Sequence, residues 1–83
     1  MSIIDKAKEV RTGDRQSDYG DSTEMFRKIA VLSSIMTSKE LTPEDCVNVL
    51  IATKLARESH KHKQDNLVDA VGYLDILDKI RNQ

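Results

Sequence analysis

The sequence has no tryptophan and contains only one cysteine, one proline and three glycines in 83 residues. The single thiol, Cys46, excludes an intramolecular disulfide and a four-cysteine zinc site, and is typical of a reducing compartment. The sequence also lacks a signal-peptide pattern and any apolar run near the ~20 residues that a membrane-spanning helix requires. From these absences we expect a cytoplasmic protein that does not contact membranes.

Neither sign of charge is in large excess, because 13 basic residues are set against 14 acidic ones for a net charge of -1. This balance argues against a protein that coats nucleic acid through bulk charge, while a small basic pocket is still compatible with it. The length fits a single domain spanning residues 1–83. Because a chain of this size buries only about 60–65% of the surface that its unfolded form exposes, we expect a homo-oligomer.

Apolar residues recur at helical spacing in four segments, and no segment alternates as a strand does. The first segment predicts a short N-terminal helix with one apolar face, formed by Ile3, Ile4, Ala7 and Val10. A polar loop over residues 13–21 follows it. The second helix should begin at Asp21 or Ser22, since both residue types are good N-caps, and should end within residues 37–40.

Thr42-Pro43 marks the start of the third helix, since threonine caps a helix and proline is tolerated at the first helical position. This helix should reach about Ser59 and, being apolar around much of its circumference, should be buried on more than one side. The fourth helix should run from near Asp65 to the C-terminus. The predicted fold class is therefore all-α, a small helical bundle of three longer helices and a short N-terminal one.

Asp65, Asp69 and Tyr73 lie at i, i+4 and i+8 and form a stripe along the fourth helix. Two carboxylates one turn apart can share Mg²⁺ or accept hydrogen bonds from a base or a ribose. The plainer alternative is that Asp65 caps the helix, Asp69 pairs with a nearby cation and Tyr73 belongs to the core.

Lys54 and Arg57 lie at i and i+3 in an otherwise apolar part of the third helix. A charge beside a core requires a partner, and Asp69 is a suitable one if the third and fourth helices pack antiparallel. A bound phosphate is the functional alternative, since a guanidinium can bind phosphate through two parallel hydrogen bonds. A structural ion pair and a ligand contact are both open at this point.

The polar loop carries Arg15, Asp18 and Tyr19 beside Gly20. An arginine and an aromatic ring on such a loop can hold a phosphate and stack on a base. Alternatively, the tyrosine only closes one end of the bundle.

The two histidines and the cysteine give weaker signals. His60 and His62 are flanked by lysines and make a poor cation site. Cys46 is expected to be a buried thiol rather than a nucleophile. Since glycine-rich phosphate loops, dinucleotide fingerprints and serine-hydrolase motifs are also absent from the sequence, we expect no resident metal and no cofactor.

Five blocks taken in order resemble a family of small phage and prophage proteins without an assigned function. The blocks are Gly13-Asp14-Arg15-x-x-Asp18-Tyr19-Gly20, Phe26-x-x-Ile29-Ala30, Leu41-Thr42-Pro43-Glu44-Asp45, Lys54-Leu55-Ala56-Arg57 and Asp65-x-x-x-Asp69-x-x-Gly72-Tyr73. More distantly, the last two blocks resemble the all-α MazG-like nucleotide pyrophosphohydrolases. That resemblance implies a nucleotide-shaped pocket.

The MazG-like enzymes hold Mg²⁺ with several glutamates on one helix, whereas this chain offers little beyond Asp65 and Asp69. The resemblance thus implies binding of a nucleotide, and the departure from the acidic motif favours binding without hydrolysis. The resemblance to phage proteins implies the cytoplasm of an infected bacterium as the setting. Small phage proteins of that kind sequester cyclic dinucleotide or cyclic ADP-ribose messengers of antiphage defence. The implied nucleotide-binding residues are Arg15, Asp18, Tyr19, Lys54, Arg57, Asp65, Asp69 and Tyr73.

Two alternatives are kept. One is a Mg²⁺-dependent MazG-like pyrophosphohydrolase, in which Asp65 and Asp69 bind the metal. The other is a structural or protein-interaction module, in which the same charges form internal ion pairs. Of the three hypotheses, we favour the binding protein with a small nucleotide ligand and no catalytic residues.

Overall fold

The computed structural model describes residues 21–83. Three helices follow one another there: α1 (Ser22–Thr37), α2 (Pro43–His60) and α3 (Gln64–Arg81). The three pack together, which confirms the all-α prediction. The predicted N-terminal helix and most of the polar loop lie outside the described residues. Within the described part of the chain, no helix is both long and apolar enough to cross a membrane.

The starts of α1 and α2 follow from capping chemistry that is visible in the sequence. The Asp21 carboxylate accepts a hydrogen bond from the backbone N–H of Thr23 at 2.8 Å. At α2, the backbone N–H of Asp45 donates to the Thr42 hydroxyl oxygen at 3.1 Å, and the backbone N–H of Thr42 donates to the Asp45 carboxylate at 2.9 Å. This reciprocal pair is a complete capping box, and it confirms the predicted start of α2 at Pro43.

Helices α2 and α3 form an antiparallel hairpin, joined by residues 61–63. Near its open end the Arg81 Nε donates to the Glu44 carboxylate at 3.2 Å, and at mid-length Lys54 pairs with Asp69. Both pairings join residues that face each other across the antiparallel hairpin. Helix α1 packs against both helices of the hairpin.

The core lies between the three helices. Its main buried cluster consists of Phe26, Ala30, Cys46, Val47 and Ile76, and Val68 and Ala70 of α3 are buried as well. Val47 is completely enclosed, and Cys46 is a buried free thiol, as predicted. The Tyr73 ring meets the Phe26 ring edge-on, with 6.4 Å between the centroids.

The expectation that the third predicted helix, α2, is buried on more than one side is wrong for its outer face. Val49 is 64% exposed and Leu55 is 50% exposed. The reason is that α2 directs one stripe towards the core, with Val47 enclosed and Leu50 and Ile51 packed against the buried cluster. Apolar composition alone did not distinguish this inner stripe from the opposite face.

Candidate functional site

Three of the predicted site residues lie along the α2–α3 contact. The Lys54 Nζ lies 2.9 Å from the Asp69 Oδ2, and the two side chains are 20% and 22% exposed. Tyr73 is half-buried against Phe26. Lys54 and Asp69 thus form an ion pair and Tyr73 contacts a core ring, as the structural alternative expected. The predicted role of these three residues in nucleotide binding stays a prediction.

Arg57 and Asp65 lie nearer the turn between α2 and α3. Arg57 is exposed, and among residues 21–83 its guanidinium takes part in no ion pair. Asp65 is exposed in the first turn of α3, and the N-cap position is occupied by Lys63 instead. The remaining predicted residues, Arg15, Asp18 and Tyr19, lie outside the described residues.

Arg57 opens onto a groove of about 550 Å³ beside the α2–α3 turn. We call it the turn groove; its described lining is Ala56, Arg57, His60, Lys61, Lys63 and Asn66. Arg57, Lys61 and Lys63 bring three cationic side chains to the groove, and His60 adds an imidazole ring. Because the described lining contains no carboxylate while the whole chain has a net charge of -1, the turn groove is a local concentration of positive charge.

Two helix ends meet at this groove and have opposite electrostatic preferences. Arg57 and His60 lie in the last turn of α2, where cations stabilise the negative end of the helix dipole. The N-cap of α3 is Lys63, whose side chain makes no capping hydrogen bond. Asp65 in the first turn offsets part of the positive potential at the start of α3. An anion in the groove therefore meets favourable charge from Arg57 and the two lysines.

Glu58 holds the turn in place. Its carboxylate accepts hydrogen bonds from the His62 Nδ1, from the backbone N–H of Lys63 at 2.9 Å and from the Asn66 Nδ2 at 3.4 Å. These contacts, with that of His62 the largest, hold the pKa of Glu58 below its ordinary value. An ionised Glu58 thus ties the end of α2 to the start of α3 and holds the backbone at Lys63.

Asn66 gives the groove a buried polar wall. Its residue is only 8% exposed, although it lines the groove. Its amide nitrogen donates to Glu58, whereas its amide oxygen accepts no hydrogen bond from another described side chain. An amide oxygen in that position can accept a hydrogen bond from a base N–H or a ribose hydroxyl.

Sequence reasoning missed most of this groove. His60 and His62 were considered only as metal ligands, and Lys61 and Lys63 only as the lysines that flank them. The signal was present in the run His60-Lys61-His62-Lys63, four basic residues without an acid in a chain of balanced charge. No pattern in the sequence indicated that Asn66 lines the groove, because its burial depends on how the turn between α2 and α3 reverses the chain.

A metal centre has little support in the described part of the chain. Within residues 21–83, no three His, Cys, Asp or Glu side chains are grouped so that they could hold a metal ion. Of the two carboxylates predicted for a metal, Asp69 is engaged by Lys54.

The fold and the groove define a class: a small all-α protein that carries, within residues 21–83, a cationic groove at the turn between two helices. Within that class, the chain belongs to the family described as Domain of unknown function (DUF6378), whose model matches residues 2–81.

The relatives of the chain are phage proteins. It is 39% identical over 83 residues to the Gene 55 protein of Mycobacterium phage L5, which covers 98% of this chain and 53% of that protein. It is 32% identical over 80 residues to the Gene 55 protein of Mycobacterium phage D29, with 95% and 53% covered. The predicted similarity to phage proteins is thereby confirmed, and the chain spans about half the length of these curated relatives. No solved structure matches the chain.

Proposed function

We propose that this protein binds a phosphate-bearing nucleotide in the turn groove and retains it without hydrolysis. One observation carries the proposal: the described lining places Arg57, Lys61 and Lys63 together with His60 and without a carboxylate. A groove of about 550 Å³ also has the size of a small-molecule site. Since phosphates are the anionic groups of a nucleotide, such a site suits the nucleotide ligand favoured by the sequence.

The ligand class that we propose is a cyclic nucleotide messenger of antiphage defence, either a cyclic dinucleotide or a cyclic ADP-ribose. Both carry two phosphates, and the groove offers a cation from α2 and two from the turn. Similarity to proteins of two Mycobacterium phages supports the setting, a bacterium under infection. A protein that sequesters a messenger needs slow release and no turnover, which fits a site built from cations and an amide.

Each residue has a stated role in this proposal. The Arg57 guanidinium binds one phosphate through paired hydrogen bonds, and Lys61 and Lys63 neutralise the other. The Asn66 amide oxygen accepts a hydrogen bond from the base or the ribose. The roles predicted for Arg15, Asp18 and Tyr19 in phosphate binding and base stacking are kept as part of the proposal.

Isothermal titration calorimetry against a panel of cyclic dinucleotides and cyclic ADP-ribose isomers tests the proposal. We expect one of them to bind, and we expect Arg57→Gln and Lys61→Gln each to weaken its affinity about ten-fold or more, since a hydrogen bond to a charged group contributes about 1.5–3 kcal/mol. The matched control is Lys79→Gln, which removes the same charge from an exposed position near the end of α3.

The outcomes separate the parts of the proposal. Absence of heat with every ligand of the panel contradicts the function. An equal loss of affinity in Lys79→Gln indicates attraction by overall charge and contradicts the assignment to the turn groove. Mass spectrometry of small molecules released from the purified protein gives an independent identification of the ligand.

The hydrolase alternative is tested in the same samples. A MazG-like pyrophosphohydrolase releases pyrophosphate from a nucleoside triphosphate in the presence of Mg²⁺ or Mn²⁺ and loses that activity in Asp69→Asn. We expect no release with either metal. Pyrophosphate production that depends on Asp69 would replace sequestration by hydrolysis as the function.

A further inference from the structure

Asn66 is the buried polar residue in the described lining of the turn groove. It is 8% exposed, whereas the other polar residues of that lining are exposed: Arg57, His60, Lys61 and Lys63. Buried polar groups in folded proteins have hydrogen-bond partners. Because no described side chain donates to the Asn66 amide oxygen, a ligand in the groove can supply that donor.

Glu58 determines which atom of the Asn66 amide is left for a ligand. The Asn66 Nδ2 donates to the Glu58 Oε1 at 3.4 Å. An ionised carboxylate can only accept hydrogen bonds, so the reverse orientation of the amide would place two oxygens against each other with no hydrogen between them. The Asn66 oxygen is therefore the atom that remains to accept a hydrogen bond.

Both members of this pair are held by the turn. The Glu58 carboxylate also accepts hydrogen bonds from the His62 Nδ1 and from the Lys63 backbone N–H. The Asn66 backbone N–H donates to the Lys63 carbonyl at 3.0 Å. An acceptor that is fixed in advance in this way loses little side-chain freedom when a ligand binds.

The other polar side chains of the described lining are mainly donors. Guanidinium and ammonium groups donate and never accept, so Arg57, Lys61 and Lys63 suit phosphate oxygens. A neutral His60 ring can accept through one nitrogen, but that residue is exposed to water. A base N–H that enters the groove therefore finds its buried side-chain acceptor at Asn66.

We propose that Asn66 makes the turn groove selective for a nucleotide whose base carries an exocyclic amino group, and that Glu58 is the positioning residue that presents the Asn66 oxygen to it. This inference rests on the proposed function, since a nucleotide must occupy the groove. An exocyclic amino group projects beyond the ring and reaches a recessed oxygen. A ribose hydroxyl rotates and can donate or accept, so it gains less from a fixed acceptor.

Pairs of ligands that differ only in the amino group test the selectivity. Cyclic dinucleotides and cyclic ADP-ribose isomers are each titrated beside an analogue with purine in place of adenine, or hypoxanthine in place of guanine. We expect the amino-bearing member of the bound pair to bind about ten-fold or more tightly, because its absence leaves a buried acceptor unpaired.

The outcomes of this titration separate the selectivity from the proposed function. Equal or reversed affinities within a pair overturn the selectivity, and if Arg57→Gln still weakens both members, the proposed function stands without it. Absence of binding by every ligand and analogue removes the proposed function and this inference with it.

Variants of the turn test the positioning role. Glutamine can donate as well as accept, so Glu58→Gln no longer fixes the amide of Asn66. The preference for the amino-bearing ligand should fall to within about three-fold in Glu58→Gln and in Asn66→Ala. The matched control, His62→Ala, removes another partner of Glu58 from the same turn and should keep the preference. Circular dichroism confirms that each variant is folded. Weaker binding of both ligands with the preference intact shows that Glu58 and Asn66 only support the turn, and overturns the proposal.

The orientation of the amide can be measured in the free protein. In nuclear magnetic resonance spectra, the side-chain NH₂ protons of Asn66 should exchange with solvent more slowly than those of Asn48, which is exposed. Glu58→Gln should accelerate the exchange at Asn66 and leave that at Asn48 unchanged. Exchange at Asn66 that is as fast as at Asn48, or that Glu58→Gln does not alter, overturns the role given to Glu58.

Discussion

The ammonium of Lys54 and the carboxylate of Asp69 join the two helices of the hairpin across 2.9 Å. About a fifth of each side chain is exposed, so the pair is neither fully solvated nor sealed in the core. In such a setting the cost of breaking the pair exceeds its net contribution to stability, because the remaining charge keeps its partial burial without a partner.

From this geometry we expect Lys54→Met to lower the free energy of unfolding by about 1–2 kcal/mol, a value below that of a sealed pair because solvent screens the charges. Asp69→Asn should have a similar effect. In a double-mutant cycle followed by urea denaturation, the coupling between the two should be about 0.5–1 kcal/mol. Strictly additive effects would show that the pair contributes nothing beyond its separate side chains.

The carboxylate of Glu58 should make the stability of the hairpin dependent on pH. Its pKa is lower in the folded protein than in the unfolded chain, mainly because of the His62 contact, so its contribution is present above the ordinary pKa of a glutamate and is lost as the pH falls through the lower folded value. Glu58→Gln should therefore lower the melting temperature at neutral pH, and the difference from the wild type should shrink in acid.

Thermal melts between about pH 3 and pH 7 measure this difference. Glu40→Gln is the matched control, since it neutralises an exposed carboxylate in the connection between α1 and α2. A difference between wild type and Glu58→Gln that does not vary with pH would contradict the role given to the ionised carboxylate.

Affinity for the proposed ligand should fall as salt is raised, because partly exposed cations and phosphates attract each other through a screened field. We expect a decrease between about 50 mM and 500 mM salt, a range over which the screening length shortens about three-fold. Arg57→Gln should reduce the salt dependence as well as the affinity, whereas Lys79→Gln should leave the slope unchanged. Titrations at three salt concentrations decide between these results, and a slope that Arg57→Gln does not alter would place the phosphates elsewhere.

The core is small enough that one aromatic residue should decide whether the chain folds. Phe26 is buried and contacts the Tyr73 ring, and truncation of a buried phenylalanine to alanine costs about 3–5 kcal/mol. Phe26→Ala should therefore remove much or all of the cooperative unfolding transition seen by circular dichroism, since small domains are stable by only about 5–15 kcal/mol. Leu74→Ala, a truncation at a half-exposed position of α3, should change stability by less than about 1 kcal/mol.

The helices were predictable because their signals act over a few residues. Asp21 and Thr42 cap α1 and α2 through contacts within three positions of the sequence, and those contacts are present. The fourth helix was predicted to begin near Asp65 and begins at Gln64, although its N-cap Lys63 makes no side-chain hydrogen bond that would mark the start in the sequence. The Lys54–Asp69 pair was also foreseeable, since both residues lie at similar distances from the turn.

The turn groove was not predictable in the same way. Sequence reasoning found Arg57 but did not connect it with Lys61, Lys63 and Asn66, because their proximity depends on how three connecting residues reverse the chain. The bond network of Glu58 that sets this reversal spans up to eight positions and involves both backbone and side-chain donors. No periodicity of one helix encodes such a network.

The described lining of the turn groove falls entirely within residues 56–66. Segments that meet through so short a loop come together early when a chain folds, because little chain entropy is lost in closing them. A ligand bound there should accordingly accelerate refolding and change the unfolding rate only slightly. Stopped-flow measurements with and without ligand should show a higher refolding rate and a nearly unchanged unfolding rate. A ligand that changed mainly the unfolding rate would show that the hairpin closes last.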